Sequence, residues 1–295
     1  NNLGYDLQYQ GKLAEAEPLQ REALEKYRRA VGPDHPSTLA ALNNLALLLQ
    51  DLGQYAEAER TLREALAARR RVLGDEHPDT IATLGNLGRF LQAVDRLAEA
   101  EPVLRETLEK KRRLRGVEHP DTLTSINNYG AVLEAMGRLA EAESYYRDAM
   151  EKCRRVLGEA HPNTFITMIN TGGALEALGK NSDAVKLLDG VEPVARKAFT
   201  GANARWVAKL LMRRGRARTA LGKLDAAGKD LLEAYPLFVS SRGENHKETR
   251  GCVQALVDLY TAKRAVEPGG GWEGEVAAWS AKLRRATPSP RAVTR

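Results

Sequence analysis

The residues in this chain best suited to chemistry are its histidines. There are five, and four stand in one dipeptide: His35-Pro36, His77-Pro78, His119-Pro120 and His161-Pro162, each 42 residues after the last. Repeated imidazoles could ligate a metal. Copies on successive helical repeats, however, should lie one or two helix diameters apart, about 10–20 Å, against zinc–nitrogen bonds of about 2 Å. They cannot share one ion, and each linker alone offers one imidazole and at most an Asp or Glu. The pattern reads as a helix entrance, with proline in the first turn where its missing N–H costs nothing.

Other candidates fail on context. Gly269-Gly270-Gly271-Trp272-Glu273-Gly274 satisfies GxGxxG, but a dinucleotide fingerprint follows a strand and opens a helix in a βαβ unit. No strand pattern lies nearby. Cys153 and Cys252 make neither a disulfide framework nor a CxxC metal site. The cation runs Lys26/Arg28/Arg29, Arg69-Arg70-Arg71, Lys110 to Arg113 and Lys152/Arg154/Arg155 close helices, where positive charge favours the dipole. No nucleophile–base pair, metal cluster or phosphate loop emerges. The expectation is no catalytic, cofactor-binding or metal-ligating residue and no cofactor.

One polar column remains: Asn2, Asn44, Asn86, Asn128 and Asn170, at the same 42-residue period. Asn is a mediocre helix former, so its recurrence inside a helix needs a reason. An amide both donates and accepts, so it could hold the backbone of an extended peptide, or it could staple neighbouring repeats. Both readings stay open.

The elements that carry these residues are helix pairs. Leu39, Leu42, Leu45, Ala46, Leu49 and Leu52 fall at three- and four-residue steps, the stripe of a buried helix face. Gly53 ends that helix, and its counterparts are Gly11, Asp95, Gly137 and Gly179. Asp is among the few residues that tolerate the left-handed conformation needed there. A second helix follows, with Tyr55, Ala58, Leu62, Ala65, Leu66 and Leu73 on its apolar side. Two small-residue columns, Gly4/Ala46/Gly88/Gly130/Gly172 and Ala16/Ala58/Ala100/Ala142/Ala184, let the paired helices approach to about 8 Å.

Leu45-Ala46, Leu49, Ala58, Leu62 and Ala65 resemble the tetratricopeptide consensus. The 42-residue period and the linker Gly74-Asp75-Glu76-His77-Pro78 resemble a narrower group, the kinesin light chain-like tetratricopeptide repeats. Members of that group recur in bacteria, often attached to signalling domains such as protein kinases. The resemblance implies that the first helices line a concave groove with the Asn column at or near its floor. Arg89, Arg213 and Arg216 occupy first-helix places expected to face the same groove, favouring a carboxylate.

The expected fold is therefore all-α: a right-handed superhelical solenoid of antiparallel helix pairs. Residues 1–34 read as a partial first repeat and 35–180 as regular repeats. Residues 181–286 read as degenerate repeats and C-terminal capping helices. A one-residue insertion places Gly215, Gly222 and Ala227 43 residues after Gly172, Gly179 and Ala184. Residues 287–295 read as a basic disordered tail. The net charge is +6, but five cations and no anion lie from Val276 onward, so the repeat body is nearly neutral. With 5% aromatics, that body is a poor nucleic-acid array. No apolar run approaches a membrane span of about 20 residues, and two unpaired cysteines suit a reducing, cytoplasmic setting. The chain opens NNLG, partway through a repeat and without Met, which reads as a piece of something longer. The functional expectation is a scaffold binding another protein or an extended, acidic-leaning peptide through Asn44, Asn86, Arg89, Asn128, Asn170, Arg213 and Arg216. The alternative is the regulatory part of a larger signalling enzyme, such as a bacterial serine/threonine protein kinase.

Overall fold

A computed structural model describes residues 12–285 together with Leu7. Asn2, Gly4, Gly11, Arg291, Arg295 and the segment 287–295 lie outside the described residues. Thirteen α-helices and no strand occur among the described residues. They are α1 Leu13–Val31, α2 Pro36–Asp51, α3 Tyr55–Leu73, α4 Pro78–Ala93, α5 Leu97–Arg115, α6 Pro120–Ala135, α7 Leu139–Leu157, α8 Pro162–Ala177, α9 Asn181–Ala198, α10 Arg205–Ala220, α11 Leu224–Arg242, α12 Lys247–Val266 and α13 Glu273–Arg285. A short 3-10 turn, Gly201–Ala204, precedes α10, where the linker has lost its His-Pro.

The chain forms two compact units, 1–138 and 139–295. In the first, α2 packs on α3 and α4 on α5, while the first helices α2, α4 and α6 touch in succession. In the second, the pairs are α8/α9, α10/α11 and α12/α13, and α8, α10 and α12 touch in succession.

The linkers explain where helices start. The side chain of His35, His77, His119, His161 and His246 caps its helix, Nδ1 accepting from the backbone N–H two residues on at 3.1–3.2 Å. This satisfies one of the donors that a helix start leaves unpaired. A buried threonine then fastens the cap to the preceding helix. Thr38, Thr164 and Thr249 donate to the carbonyls of Gly32, Gly158 and Gly243 at 2.7–2.8 Å. Those glycines stand at φ of 84–94°, where a side chain would be strained. The tighter turn inside each pair uses Gly53, Gly137, Gly179 and Gly222, and Asp95 adopts the same conformation at φ 63°. Gln54 and Arg96 close these turns by donating back to Leu49 and Leu91 at 2.9 Å, the six-to-one bond of a helix end.

Packing within pairs depends on the small columns. Ala16, Ala58, Ala100, Ala142, Ala184 and Ala227 are fully buried. A Cβ added at Gly88, Gly172 or Gly215 would lie 2.7 Å from Leu104, Leu188 or Leu231, too close for any carbon contact.

Two outcomes follow. Ala184 is wholly buried in a cluster with Leu175, Val185 and Ala217. Ala184→Trp should therefore cost about 1–3 kcal/mol or more by overpacking, and Asn128→Ala, at a half-buried amide, distinctly less. Equal falls in melting temperature would contradict the packing assignment. His246 has its pKa held below the usual value near 6.5, first by burial and also by Arg242 and Lys247, with Glu248 acting the other way. The folded state thus favours the neutral ring that caps α12. Its contribution is complete above about pH 6.5 and fades as the pH falls through the lowered folded value. Thermal melts between pH 7.5 and 5.0 should fall less steeply for His246→Asn, which caps without titrating, than for the parent. Parallel slopes would contradict the linkage.

Candidate peptide-binding surface

In the first unit, Asn44, Asn86 and Asn128 sit at one point of α2, α4 and α6 and are half-buried. Asn86 Nδ2 donates to Asn43 Oδ1 at 2.9 Å, linking α4 to α2. Arg89 in turn donates to Asn86 Oδ1 at 2.7 Å. One amide thus staples two repeats and positions a guanidinium at the surface.

Asn86, Arg89 and Asn128 share a cleft of ≈230 Å³ whose lining also includes Gly85, Thr107 and Lys111. Gly85 occupies the column of Asn43 and Asn127, so the cleft opens where a repeated side chain is missing. A Cβ at Gly85 would already touch Thr107 at 3.1 Å. The lining contains two cations and no carboxylate. Crowding by the protein lowers the pKa of Arg89, against the nearby Asp51. Burial lowers that of Lys111, with Asp121 opposing and Arg89 and Arg115 assisting. Arg89 and Lys111 both line the cleft, so two positive groups face one space. Sequence reading placed Lys111 in a helix-end run. The signal available was its place: it lies on α5, the partner of α4 in the helix pair that carries the Gly85 gap. Asn44 lies one repeat earlier and outside this cleft.

The second unit carries Asn170, Arg213 and Arg216. Asn170 is buried, and its Oδ1 accepts from Lys209 at 3.0 Å, tying α8 to α10. Arg216 pairs with Glu176 at 3.1 Å. Arg213 takes the next rung of the Asn column and is 9% exposed. Its guanidinium lies over Gly173, where an added Cβ would fall 1.7 Å from Nη1.

A further group escaped the sequence reading. Arg214 stands in the core column of Leu45, Leu87, Tyr129 and Thr171, yet it is buried. It bonds Asp230 at 2.7 and 3.0 Å, Asp189 at 2.9 Å, and Glu192. Arg218 reaches Asp230 and Asp189 at 2.8 Å. Burial alone would raise Glu192, but Arg214 and Arg196 outweigh it and hold its pKa below the usual range. A charge in a core column must be paired, and losing one partner of such a group commonly costs about 3–5 kcal/mol. This cluster is internal bracing.

The cation runs also do more than end helices. Arg69 is buried and donates to the Asp79 carbonyl at 2.8 Å and to Thr83 at 2.6 Å. Lys110 is buried and grips Asp75 and Glu76 of the preceding linker, holding both carboxylates below their usual pKa. Cys153 and Cys252 are buried thiols, pushed up to about 11 and about 12 by burial. They are poor nucleophiles, which require the thiolate. The GxGxxG stretch runs from the loop after α12 into the first residues of α13, with Lys263 Nζ 4.7 Å from the Trp272 ring. No helix of the described residues is long and apolar enough to cross a membrane.

Helix pairs closed by small residues, stacked through their first helices and presenting amides and cations on that face, define a helical repeat protein. The chain belongs to the tetratricopeptide repeat family, whose model matches residues 1–71, 38–113, 79–152 and 121–197. Among solved structures it is similar to a putative kinesin light chain from Podosopora anserina with nearly identical tetratricopeptide-like repeats. That match has 25% identity, a TM-score of 0.58, and coverage of 67% of this chain and 93% of the other. BtubC from P. vanneervenii gives 19% identity and a TM-score of 0.63, covering 78% and 92%. A Rap protein complexed with Competence and Sporulation Factor gives 16% identity and a TM-score of 0.71, covering 96% and 72%. No curated protein sequence matches the chain.

The Arg213–Gly173 contact is testable by a double-mutant cycle. Gly173→Ala alone should destabilise by about 1–3 kcal/mol, because it displaces a buried guanidinium. In an Arg213→Ala background the same change should be neutral or stabilising by about 0.5–1 kcal/mol, the ordinary helix-interior gain over glycine. Additive melts would show that the two residues do not compete for one space.

Proposed function

We propose that this tetratricopeptide array binds an extended, acidic-leaning peptide, and that the first unit's cleft holds one of its carboxylates between Arg89 and Lys111. The observation that carries this is two cations facing a cleft whose lining contains no carboxylate, with Asn86 and Asn128 at its edges. The amides suit a peptide backbone, since each donates and accepts without reading side chains. Asn86 serves as a staple and as a support for Arg89 at once. The reading is narrower than a groove from Asn44 to Arg216. In the second unit Arg216 has its own carboxylate and Arg213 is buried, so neither offers the open charge that Arg89 and Lys111 do. The Rap relative, solved with Competence and Sporulation Factor, shares the fold with a ligand-bound protein, and its ligand is its own.

Neutral backbone hydrogen bonds net about 0.5–1.5 kcal/mol each and those to charges about 1.5–3. Ordering the peptide offsets part of this, so micromolar affinity, near −8 kcal/mol, is expected. The check is to screen the chain against an array of random nonapeptides and measure the tightest binders. Acidic sequences should be enriched. Arg89→Gln with Lys111→Gln should weaken them by about tenfold or more while melting normally. Unchanged affinity in that folded variant would remove the cleft from the binding site.

A further inference from the structure

The second helices of successive repeats are joined by a ladder of ion pairs at a fixed spacing. Arg21 meets Glu57 at 2.8 Å and Arg28 meets Glu64 at 2.9 Å, between α1 and α3. Arg63–Glu99 at 3.9 Å and Arg70–Glu106 at 3.6 Å repeat them between α3 and α5. Arg196–Glu233 at 2.5 Å continues the second series between α9 and α11. Within the second unit one rung is missing. Arg154 of α7 holds the place of Arg28 and Arg70, but its carboxylate partner on α9 is replaced by Gly190.

Arg70 shows what the complete rung does. Its Nε pairs with the linker acid Asp75 at 2.8 Å while Nη2 faces Glu106 at 3.6 Å. Arg154 keeps the linker half, Nε lying 3.3 Å from Glu159, without the alignment of a hydrogen bond. Among the described residues its Nη2 has only the sulfur of Met168, at 3.9 Å. This arginine is therefore one carboxylate short.

Beside it the core is also incomplete. Thr171 replaces the large apolar residue of the column Leu45, Leu87 and Tyr129. The two small residues bound a pocket of ≈650 Å³, within the ≈300–1,000 Å³ typical of small-molecule sites. Met168, Leu175 and Leu187 contribute apolar wall, and no aromatic ring enters the lining. Arg147, Lys180 and Lys186 line it too, and with Arg154 these four cations outnumber the two carboxylates of the lining, Glu159 and Asp183. Met side chains adapt to flexible apolar chains.

We propose that this pocket binds a small monocarboxylate with an unbranched aliphatic tail. The carboxylate replaces the missing rung on Arg154, and the tail lies against Met168, Leu175 and Leu187 where Thr171 leaves room. The site is independent of the first unit's cleft, using other helices and other residues.

The repeat supplies its own test variants. Gly190→Glu restores the ladder carboxylate, and a Cβ there meets nothing within 4 Å. Replacing a mid-helix glycine also favours the helix. This variant should melt at or above the parent. Thr171→Leu restores the residue found at positions 45 and 87 and fills the apolar wall. Octanoate, octanol and the capped tripeptide Ac-Ala-Glu-Ala-NH2 are titrated calorimetrically into the full chain at pH 7. Octanoate should bind saturably. Octanol, lacking the charge, and the tripeptide, lacking the tail, should each be at least about tenfold weaker, the scale of one charge-assisted hydrogen bond or a few buried methylenes. Both variants should reduce octanoate affinity by a similar factor while remaining folded. The proposal is overturned by no saturable octanoate binding, by octanol or the tripeptide binding as well as octanoate, or by undiminished octanoate affinity in folded Gly190→Glu.

Discussion

The closeness of the two helices in each pair is the constraint on which the other features depend. With leucine carbons 2.7 Å from where a Cβ would stand at Gly88, Gly172 and Gly215, the first helix lies directly on the second. The facing alanines have no exposed surface at all. This approach sets the distance from one repeat to the next, because a helix displaced within its pair is displaced against its neighbours too. The capping histidines and turn glycines then have to recur at one interval. A 42-residue period is the sequence image of a packing distance.

Charge acts on this frame more weakly. The rungs between second helices are largely exposed, and such pairs are worth about 0–1 kcal/mol each. They do not hold the repeats together against the entropy of the chain. Their regular recurrence instead favours one registration of neighbouring helices over slipped alternatives, since a shift of one turn would bring like charges together. The buried cations are different. Arg69 and Lys110 reach linkers, and Arg214 occupies a core column. Lys110 and Arg214 are paired with carboxylates and Arg69 is held by a carbonyl and a hydroxyl, because a buried charge without such partners is strongly destabilising.

Most of the architecture was legible in the sequence because it is periodic. The His-Pro dipeptides mark four helix starts, the glycines mark the ends, and even the exception at Asp95 takes the left-handed conformation expected of it. The C-terminal capping helices expected within 181–286 include Lys247–Val266 and Glu273–Arg285. What escaped was whatever depends on atoms rather than intervals. The imidazole was read as marking an entrance, but its Nδ1 is the cap itself. In three linkers a threonine, Thr38, Thr164 or Thr249, fastens that cap to the preceding glycine. The cation runs were assigned to helix dipoles as blocks, although neighbours differ by 100° around the helix and so meet different partners. For the site, sequence placed Asn86, Arg89 and Asn128 on one face, and the three line one cleft. It had no means to separate an open cation such as Arg89 from a buried one such as Arg213, because both occupy first-helix positions.

A repeat array can stack only where it repeats, so chemistry specific to one place must enter through broken columns. Four breaks stand out, and they fall into two kinds. Gly173 is covered by the guanidinium of Arg213, and Arg214 is surrounded by Asp189, Glu192 and Asp230. There, one departure is answered by another and the interior stays filled. At Gly85, and at Thr171 with Gly190, no compensating residue arrives, and both openings are lined by cations that lack a full set of carboxylates. An uncompensated gap forfeits dispersion contacts with nothing in return. Both gaps carry a surplus of positive charge: two cations and no carboxylate line the first, and four cations against Glu159 and Asp183 line the second. A ligand carboxylate accounts for the missing side chain and the surplus charge together.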